Sequence, residues 1–202
     1  MSKNSLLEIQ NLSISLPEGG DRSHAVENLY LKIIENEILC VVGESGSGKS
    51  MMARSIMGLL PRRLKITEGE IRFEDRLLNN LTPKQFQEIR GLSIAMIFQE
   101  PMSALNPLHC IGKQIEEVLL LHTSINKTER RQRILEMLSA VHLPDPQQII
   151  RAYPHEISGG QRQRAMIAMA LILEPKILIA DEPTTALDVT TQAQILKLIR
   201  DL

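Results

Sequence analysis

The chain has 202 residues, a length that fits one domain and allows a sizeable hydrophobic core. Its 23 basic and 24 acidic residues give a formal net charge of -1, and only 2% of the residues are aromatic. Because nucleic-acid binders usually carry a basic surplus and stacking aromatics, this composition argues against a nucleic-acid partner.

The first hundred residues predict mainly β-structure. Apolar and polar residues alternate over residues 6–16 and 26–34, which predicts two half-exposed strands. The unbroken apolar run at 38–42 (ILCVV) predicts a strand that is buried on both faces. A helix from about 49 to 60, stopped by Pro61, and strands at 70–73 and 94–98 complete this part.

The stretch from about residue 107 to 173 changes to helical spacing, with helices predicted at 115–121, 127–141 and 161–173. Residues 177–180 (ILIA) predict a second fully buried strand, and a last helix is predicted at 190–202. Buried strands that alternate with helices predict an α/β fold with a parallel sheet, an antiparallel N-terminal part and an inserted helical lobe. The longest apolar run, residues 165–173, is too short to cross a bilayer, so any membrane connection is expected to go through a partner.

A phosphate-binding loop is predicted where the sequence reads GESGSGKS, between a strand and a helix. Glycines let backbone N–H groups fold closely around phosphate oxygens. Lys49 is expected to reach the β- and γ-phosphates, and Ser50 to offer its hydroxyl to Mg²⁺. The predicted binding residues are Gly43, Glu44, Ser45, Gly46, Ser47, Gly48, Lys49, Ser50 and Met51.

Two adjacent carboxylates, Asp181 and Glu182, end the predicted strand at 177–180. A strand end places them at the carboxyl edge of the sheet, where a bound phosphate is expected. Asp181 is predicted to hold Mg²⁺, directly or through water, and Glu182 to polarise a water molecule towards the γ-phosphate.

A second anion site is predicted where SGGQRQR opens the helix at 161–173. Ser158 suits an N-cap, and two glycines let backbone amides approach an anion. The predicted binding residues here are Ser158, Gly159, Gly160 and Gln161.

With these motifs in place, the chain resembles the ATP-binding subunits of ABC transporters over nearly its whole length. GESGSGKS resembles the Walker A motif, ILIADE the Walker B motif and ISGGQRQR the family signature. Gln99 fits the Q-loop, and Ala186, Leu187 and Asp188 fit the D-loop. The longer strings IAMIFQEPMSALNPLH, AYPHEISGG and LIADEPTTALDVTTQAQIL are similar to the oligopeptide, dipeptide and nickel importer ATPases.

The resemblance implies a P-loop NTPase (RecA-like) core at about residues 1–100 and 174–202, with a helical subdomain at about 101–173. It implies a head-to-tail dimer, of like or unlike copies, in which Gly43–Ser50 of one copy and Ser158–Gln161 of the other hold the same ATP. Gln99 would sense Mg²⁺ and the attacking water. The sequence PMSALNP and the helical lobe would dock on transmembrane permease subunits at the cytoplasmic face of the inner membrane, and a solute-binding protein would be only an indirect partner.

The sequence departs from the family pattern at two places. The family's switch histidine follows Walker B, but all five histidines here precede Glu182, so the chain resembles a C-terminally truncated form with weakened turnover. The family's adenine-stacking aromatic has no counterpart between residues 6 and 26, which leaves Leu16 and His24 as the nearest candidates, with Tyr30 expected to lie within the strand.

Three other readings stay open. A non-transport ABC ATPase would usually carry a long coiled-coil insertion or a basic surface, and neither is present in the sequence. A nucleotide-binding module without efficient turnover would fit the missing histidine. A small-molecule P-loop kinase would leave SGGQ without a role.

Overall fold

The computed structural model describes residues 5–17, 19, 22–99, 104–183 and 189–201. Its internal contacts divide the chain into two units, Met1–Gln87 and Glu88–Leu202. The predicted organisation, a core at 1–100 and 174–202 around a helical subdomain at 101–173, stays a prediction.

The first unit contains an antiparallel sheet with the strand order β2-β1-β3-β4. Its strands are β1 (Ser5–Ser15), β2 (His24–Ile34), β3 (Lys65–Phe73) and β4 (Arg76–Leu77). The two strands predicted at 6–16 and 26–34 are therefore confirmed, and the one predicted at 70–73 is the end of a longer strand. The short β4 was not predicted.

The strand β1 lies inside this sheet, because β2 and β3 pair with its two edges. Leu7, Leu12 and Ile14 on β1 have a relative exposure of 0%, as does Ile71 on β3. The expectation of a half-exposed strand is confirmed for β1, since its apolar side chains form the core of the first unit while Glu8 and Gln10 stay partly or fully exposed.

The helix α1 (Lys49–Ile56) lies in the first unit, and α2 (Pro83–Ile89) begins in it and ends just past its last residue, Gln87. The predicted start of α1 at Lys49 is confirmed, but the helix ends before residue 60. Gly58 adopts a left-handed φ of 61° just beyond the C-cap residue Met57, a conformation that commonly ends helices.

The segment at residues 38–42 is not a strand, so the predicted buried strand is wrong in this structure. Ile38 and Val42 are exposed to 81% and 88%. Neither the four-stranded sheet nor the parallel pair of the second unit includes this segment. The apolar run gives the residues a strand preference, but a strand also needs a partner whose backbone completes the hydrogen bonds.

The second unit contains a parallel pair of strands, β5 (Ile94–Ile97) and β6 (Ile177–Ala180), as predicted. Its helices are α3 (Ile111–His122), α4 (Lys127–Ala140), α5 (Pro146–Ile149), α6 (Gly159–Leu171) and α7 (Val189–Asp201), with a 3₁₀ turn at Pro154–Glu156. All four long helices were predicted. The short α5 and the 3₁₀ turn were not.

The core of the second unit joins β5 to the faces of α3, α4 and α6. Its members include Ile97, Leu119, Leu138 and Ile167, each with a relative exposure of 0%. β5 is buried along its whole length, whereas β6 is buried only at Ile177 and is exposed by Ala180. The prediction that β6 is fully buried is therefore wrong, because exposure increases along the strand to its carboxyl end at Ala180.

None of the helices among the described residues is long and apolar enough to span a membrane.

Candidate functional site

A glycine-rich loop precedes α1 in the first unit and wraps around the ammonium group of Lys49. The Lys49 Nζ atom donates hydrogen bonds to the carbonyl oxygens of Gly43 at 2.7 Å and Glu44 at 2.9 Å. Gly46 and Gly48 have φ angles of 80° and 94°, which L side chains rarely adopt. The loop therefore holds a cation at its centre in a backbone conformation that depends on glycine.

The first turn of α1 faces this loop without a side-chain cap among the described residues. Gly48 is the N-cap residue and has no side chain that could accept from the first N–H groups. Ser50 and Met51 are the second and third residues of the helix. Uncapped N–H groups and the positive end of the helix dipole favour a bound anion. The predicted phosphate-binding residues thus occupy a local structure that suits a phosphate.

Arg22 adds a second cation to the loop, which the sequence analysis missed. Its Nη1 atom donates a hydrogen bond to the carbonyl oxygen of Gly46 at 3.1 Å. Arg22 precedes β2 and is 24 residues away from Gly46 in the sequence. No sequence motif marks this pairing, because it depends on where the chain before β2 runs.

The carboxyl edge of the strand pair in the second unit brings Gln99, Asp181 and Glu182 together. Ile97 and Ala180 are register partners in β5 and β6, so Gln99 and Glu182 each lie two residues beyond a paired position. The Asp181 N–H donates to the Ile97 carbonyl oxygen at 3.0 Å, and the Gln99 Nε2 atom donates to the Glu182 Oε2 atom at 2.7 Å. The parallel pairing therefore joins the predicted Q-loop residue to the predicted catalytic carboxylate.

The two carboxylates at this edge have different surroundings. Asp181 is buried, with a relative exposure of 9%, whereas Glu182 is exposed. Glu182 also has a left-handed φ of 47°, which is uncommon for a non-glycine residue. The following Pro183 restricts the backbone of Glu182 further, because its ring disfavours helical conformations in the preceding residue. Unfavourable backbone conformations of this kind are found most often at functional sites.

The helix α6 begins with a capping box in the segment SGGQ. The Ser158 Oγ atom accepts from the Gln161 N–H at 3.2 Å, and the Gln161 Oε1 atom accepts from the Ser158 N–H at 2.9 Å. Gly159 and Gly160 form the first turn, so the helix starts two residues earlier than predicted. A Cβ atom placed on Gly159 would meet no atom within 4 Å, which means that open space adjoins this helix start.

Gln163, one turn into α6, contacts the chain next to Glu182. It is buried, with a relative exposure of 1%, and its Nε2 atom donates to the Pro183 carbonyl oxygen at 2.6 Å. The sequence analysis assigned no role to Gln163. Its position within SGGQRQR gave no signal of a partner 20 residues later.

Some predicted residues lie outside the part of the chain that the structure describes. They are the D-loop residues Ala186, Leu187 and Asp188 and residues 101–103 of the predicted docking sequence. Tyr30 lies within β2, as expected, and is 67% exposed.

The predicted magnesium ligands Ser50, Gln99 and Asp181 offer a hydroxyl, an amide and a carboxylate oxygen. Within the described residues, no group of three or more His, Cys, Asp or Glu side chains could hold a metal ion. Mg²⁺ commonly takes one or two protein oxygens and completes its shell with phosphate oxygens and water. Gln99 and Asp181 offer such oxygen atoms at one strand edge of the second unit, and Ser50 offers a hydroxyl in the first unit. That the three bind one Mg²⁺ ion stays a prediction.

A family model described as "ABC transporter" matches residues 26–185. Among curated proteins, the chain is 52% identical over 198 residues to the "Peptidoglycan transport ATP-binding protein YejF" of Agrobacterium fabrum. It is 50% identical over 198 residues to the "Dipeptide transport ATP-binding protein DppD" of Bacillus subtilis. Each alignment covers 98% of this chain, but the chain spans only 36% and 59% of the length of these two relatives.

Solved structures give the same likeness at the level of the fold. A dimeric ATP-binding cassette in a post-hydrolysis state, bound to ADP and Pi, has a TM-score of 0.83 and 34% sequence identity, covering 96% of this chain and 81% of its own. The protein cbiO1 from Clostridium perfringens, part of the ABC transporter complex cbiONQ, has a TM-score of 0.78 and 26% identity, covering 98% of this chain and 73% of its own. The α/β cassette with an antiparallel N-terminal part is therefore shared with these proteins.

Proposed function

Since the chain belongs to the ABC transporter family, we propose that it binds MgATP and hydrolyses it to ADP and phosphate in order to power an importer of the peptide or nickel type. A peptide is the favoured solute class, because relatives about 50% identical to the chain are named as transporters of dipeptides and oligopeptides. The observation that carries the proposal is the Lys49 ammonium group inside a glycine loop at the start of a helix.

The proposal assigns a role to each predicted residue, and two roles to Gln99. The loop from Gly43 to Ser50, together with Met51, binds the phosphates through backbone N–H groups and Lys49. Ser50, Gln99 and Asp181 supply oxygen ligands to Mg²⁺, which would neutralise charge on the phosphates. Glu182 accepts a proton from the attacking water, and Gln99 keeps the Glu182 carboxylate in place through their hydrogen bond.

The exposure of Glu182 supports its role as the base. A carboxylate that faces solvent can meet a water molecule, whereas the buried Asp181 is better suited to a fixed metal ligand. This division between two neighbouring carboxylates follows from the end of β6, where Asp181 still bonds to β5 and Glu182 does not continue the strand pairing.

The segment Ser158–Gln161 is proposed to bind the γ-phosphate held by a second cassette in a head-to-tail dimer. The open space beside Gly159 and the positive end of the α6 dipole support this role, because an anion can approach the first turn of the helix. The dimeric cassette among the structural relatives supports this mode of association. ATP would then hold two copies together, and hydrolysis would release them.

The transport partners are proposed from family membership. Transmembrane permease subunits would place the protein at the cytoplasmic face of the inner membrane, as a peripheral subunit, and a solute-binding protein would act only through the permease. No part of this proposal involves nucleic acid.

A thermal-shift titration with MgATP, followed by analytical ultracentrifugation and a phosphate-release assay, tests the proposal. Nucleotide at 100 times its Kd should raise the free energy of unfolding by about 2.7 kcal/mol. MgATP should also increase the dimer fraction, and MgADP should not. The absence of a shift would refute nucleotide binding, whereas a shift with neither dimer nor phosphate release would favour a nucleotide-binding module without turnover.

A further inference from the structure

The chain around Glu182 is held from three directions by hydrogen bonds within the second unit. Upstream, the Asp181 N–H donates to the Ile97 carbonyl oxygen at 3.0 Å. At the side chain, the Gln99 Nε2 atom donates to Glu182 Oε2 at 2.7 Å. Downstream, the Gln163 Nε2 atom donates to the Pro183 carbonyl oxygen at 2.6 Å. The first two contacts come from β5 and its extension, but the third comes from α6.

The left-handed backbone of Glu182 depends on such contacts. A non-glycine residue with a φ of 47° before a proline persists only where its surroundings fix the conformation. Pro183 has no N–H group, so its carbonyl oxygen is the backbone group through which this residue can be anchored. The bond from Gln163 therefore anchors the Pro183 carbonyl group, one residue beyond Glu182.

Gln163 itself has little freedom to move independently of α6. Its side chain is 1% exposed, and it lies five residues after the capping residue Ser158 on the same helix. A rotation or shift of the first turns of α6 would carry the Gln163 amide with it. The hydrogen bond to Pro183 would then break, or Pro183 would follow.

We infer that Gln163 is a positioning residue that couples the anion-binding start of α6 to the catalytic carboxylate Glu182. This inference rests on the proposed function, in which Ser158–Gln161 contacts the nucleotide of the partner cassette and Glu182 activates water at the other nucleotide of the dimer. Nucleotide binding at one site would thus change the position of Glu182 at the other site through the buried Gln163 amide. Gln163 touches neither nucleotide in this scheme.

The test replaces the amide by a thioether of similar size, Gln163→Met, and uses Gln114→Met as a matched control. Gln114 is also a buried helix glutamine, with a relative exposure of 7%, and its Nε2 atom donates to the carbonyl oxygens of Asn106 and His109. Both substitutions leave carbonyl oxygens of part-buried hydrogen bonds without their donor, so both should lower the melting temperature. Of these two glutamines, Gln163 donates to Pro183, next to Glu182, and Gln114 does not.

The expected result is a loss of coupling without a loss of binding. Gln163→Met should leave the MgATP Kd of the monomer within about twofold of the unsubstituted value, since the glycine loop is untouched. It should weaken MgATP-driven dimerisation by about tenfold, measured by ultracentrifugation in the Glu182→Gln background, whereas Gln114→Met should not. The effects of Gln163→Met and Glu182→Gln on dimerisation should also be non-additive in a double-substitution cycle.

The possible results distinguish a failure of the Gln163 inference from a failure of the proposed function. Equal effects of Gln163→Met and Gln114→Met on dimerisation, or additive effects with Glu182→Gln, would overturn the inference and leave the proposed function intact. Failure of the unsubstituted chain to bind MgATP or to dimerise would overturn the proposed function, and the inference with it. If Gln163→Met does not fold, Gln163→Asn provides the same comparison, because its amide is one methylene too short to keep the 2.6 Å contact.

Discussion

Gln99 and Glu182 are 83 residues apart in the sequence, and a hydrogen bond of 2.7 Å joins their side chains. Each follows one strand of the parallel pair, and the register of Ile97 with Ala180 aligns the two chain segments. The bond directs the Gln99 amide nitrogen towards the carboxylate. The Gln99 amide oxygen is therefore left for another partner, which under the proposed function is Mg²⁺ or the attacking water.

Replacing Glu182 by glutamine should separate nucleotide binding from turnover. Glutamine has the size of glutamate but is a poor base, so phosphate release should fall by roughly 100-fold or more. MgATP binding and the nucleotide-dependent dimer should persist. Phosphate release and ultracentrifugation measure the two effects, and the exposed Glu117 on α3 provides a control as Glu117→Gln. Unchanged phosphate release in Glu182→Gln would show that Glu182 is not the base.

Lys49→Met should abolish most nucleotide binding with little effect on the fold. The Lys49 ammonium group donates to the loop carbonyl oxygens of Gly43 and Glu44 and to the Ser47 hydroxyl, all in exposed hydrogen bonds, so its loss costs little unfolding free energy. Charge-assisted hydrogen bonds to the phosphates would be lost, which should weaken the MgATP Kd roughly 10- to 100-fold. A titration with a fluorescent nucleotide measures the Kd. Lys84→Met, on α2 of the same unit, should bind like the unsubstituted chain, and equal binding by both variants would contradict the proposed phosphate site.

Two substitutions of Ser158 should divide its structural role from its proposed binding role. Ser158→Ala removes the side-chain acceptor of the Gln161 N–H and should lower the free energy of unfolding by about 1 kcal/mol. Ser158→Asp retains an acceptor and should preserve stability, but its negative charge should repel a γ-phosphate and prevent the MgATP-driven dimer.

The control for Ser158→Asp is Asn126→Asp at the start of α4, where the Asn126 Oδ1 atom accepts from the Glu129 N–H. Asn126→Asp should change neither the free energy of unfolding, measured by chemical denaturation, nor the MgATP-driven dimer, measured by ultracentrifugation. A Ser158→Asp chain that still dimerises with MgATP would show that this helix start does not meet the phosphate.

Gly48→Ala should be more destabilising than the same change at Gly19. Both glycines have φ angles near 95°, 94° and 97°, so alanine is strained at either position. At Gly48, however, the new Cβ atom would also overlap the carbonyl oxygen of Ala25, whereas at Gly19 it would meet nothing within 4 Å. We expect a loss of about 1–3 kcal/mol at Gly48 and a smaller loss at Gly19, measured by urea denaturation. Equal losses would mean that the loop relaxes away from Ala25.

Periodicity and capping residues were sufficient to predict most of the elements. The alternation in β1 and β2 and the Ser158 cap of α6 are local signals, and each determines structure within a few residues. The glycine loop was also predicted from local sequence, because its conformation depends on glycines at fixed spacing.

The errors arose where structure depends on a distant partner. The apolar run at 38–42 has the composition of a buried strand, but composition does not select a neighbouring strand, and the segment is exposed. The contacts of Arg22 with Gly46 and of Gln163 with Pro183 join residues 20 or more positions apart, and neither belongs to a motif. Predicting them would have required the path of the chain.

The bond between Gln163 and Pro183 is formed by two neutral groups, and the Gln163 side chain is buried. Dissolved ions screen exposed charges, such as the Lys49 ammonium group, over distances of about 8 Å at physiological ionic strength, but they have little effect on a neutral amide–carbonyl pair. High salt should therefore raise the nucleotide concentration that half-saturates the protein. The dependence of the dimer fraction on the fraction of chains with bound nucleotide should be the same at low and high salt.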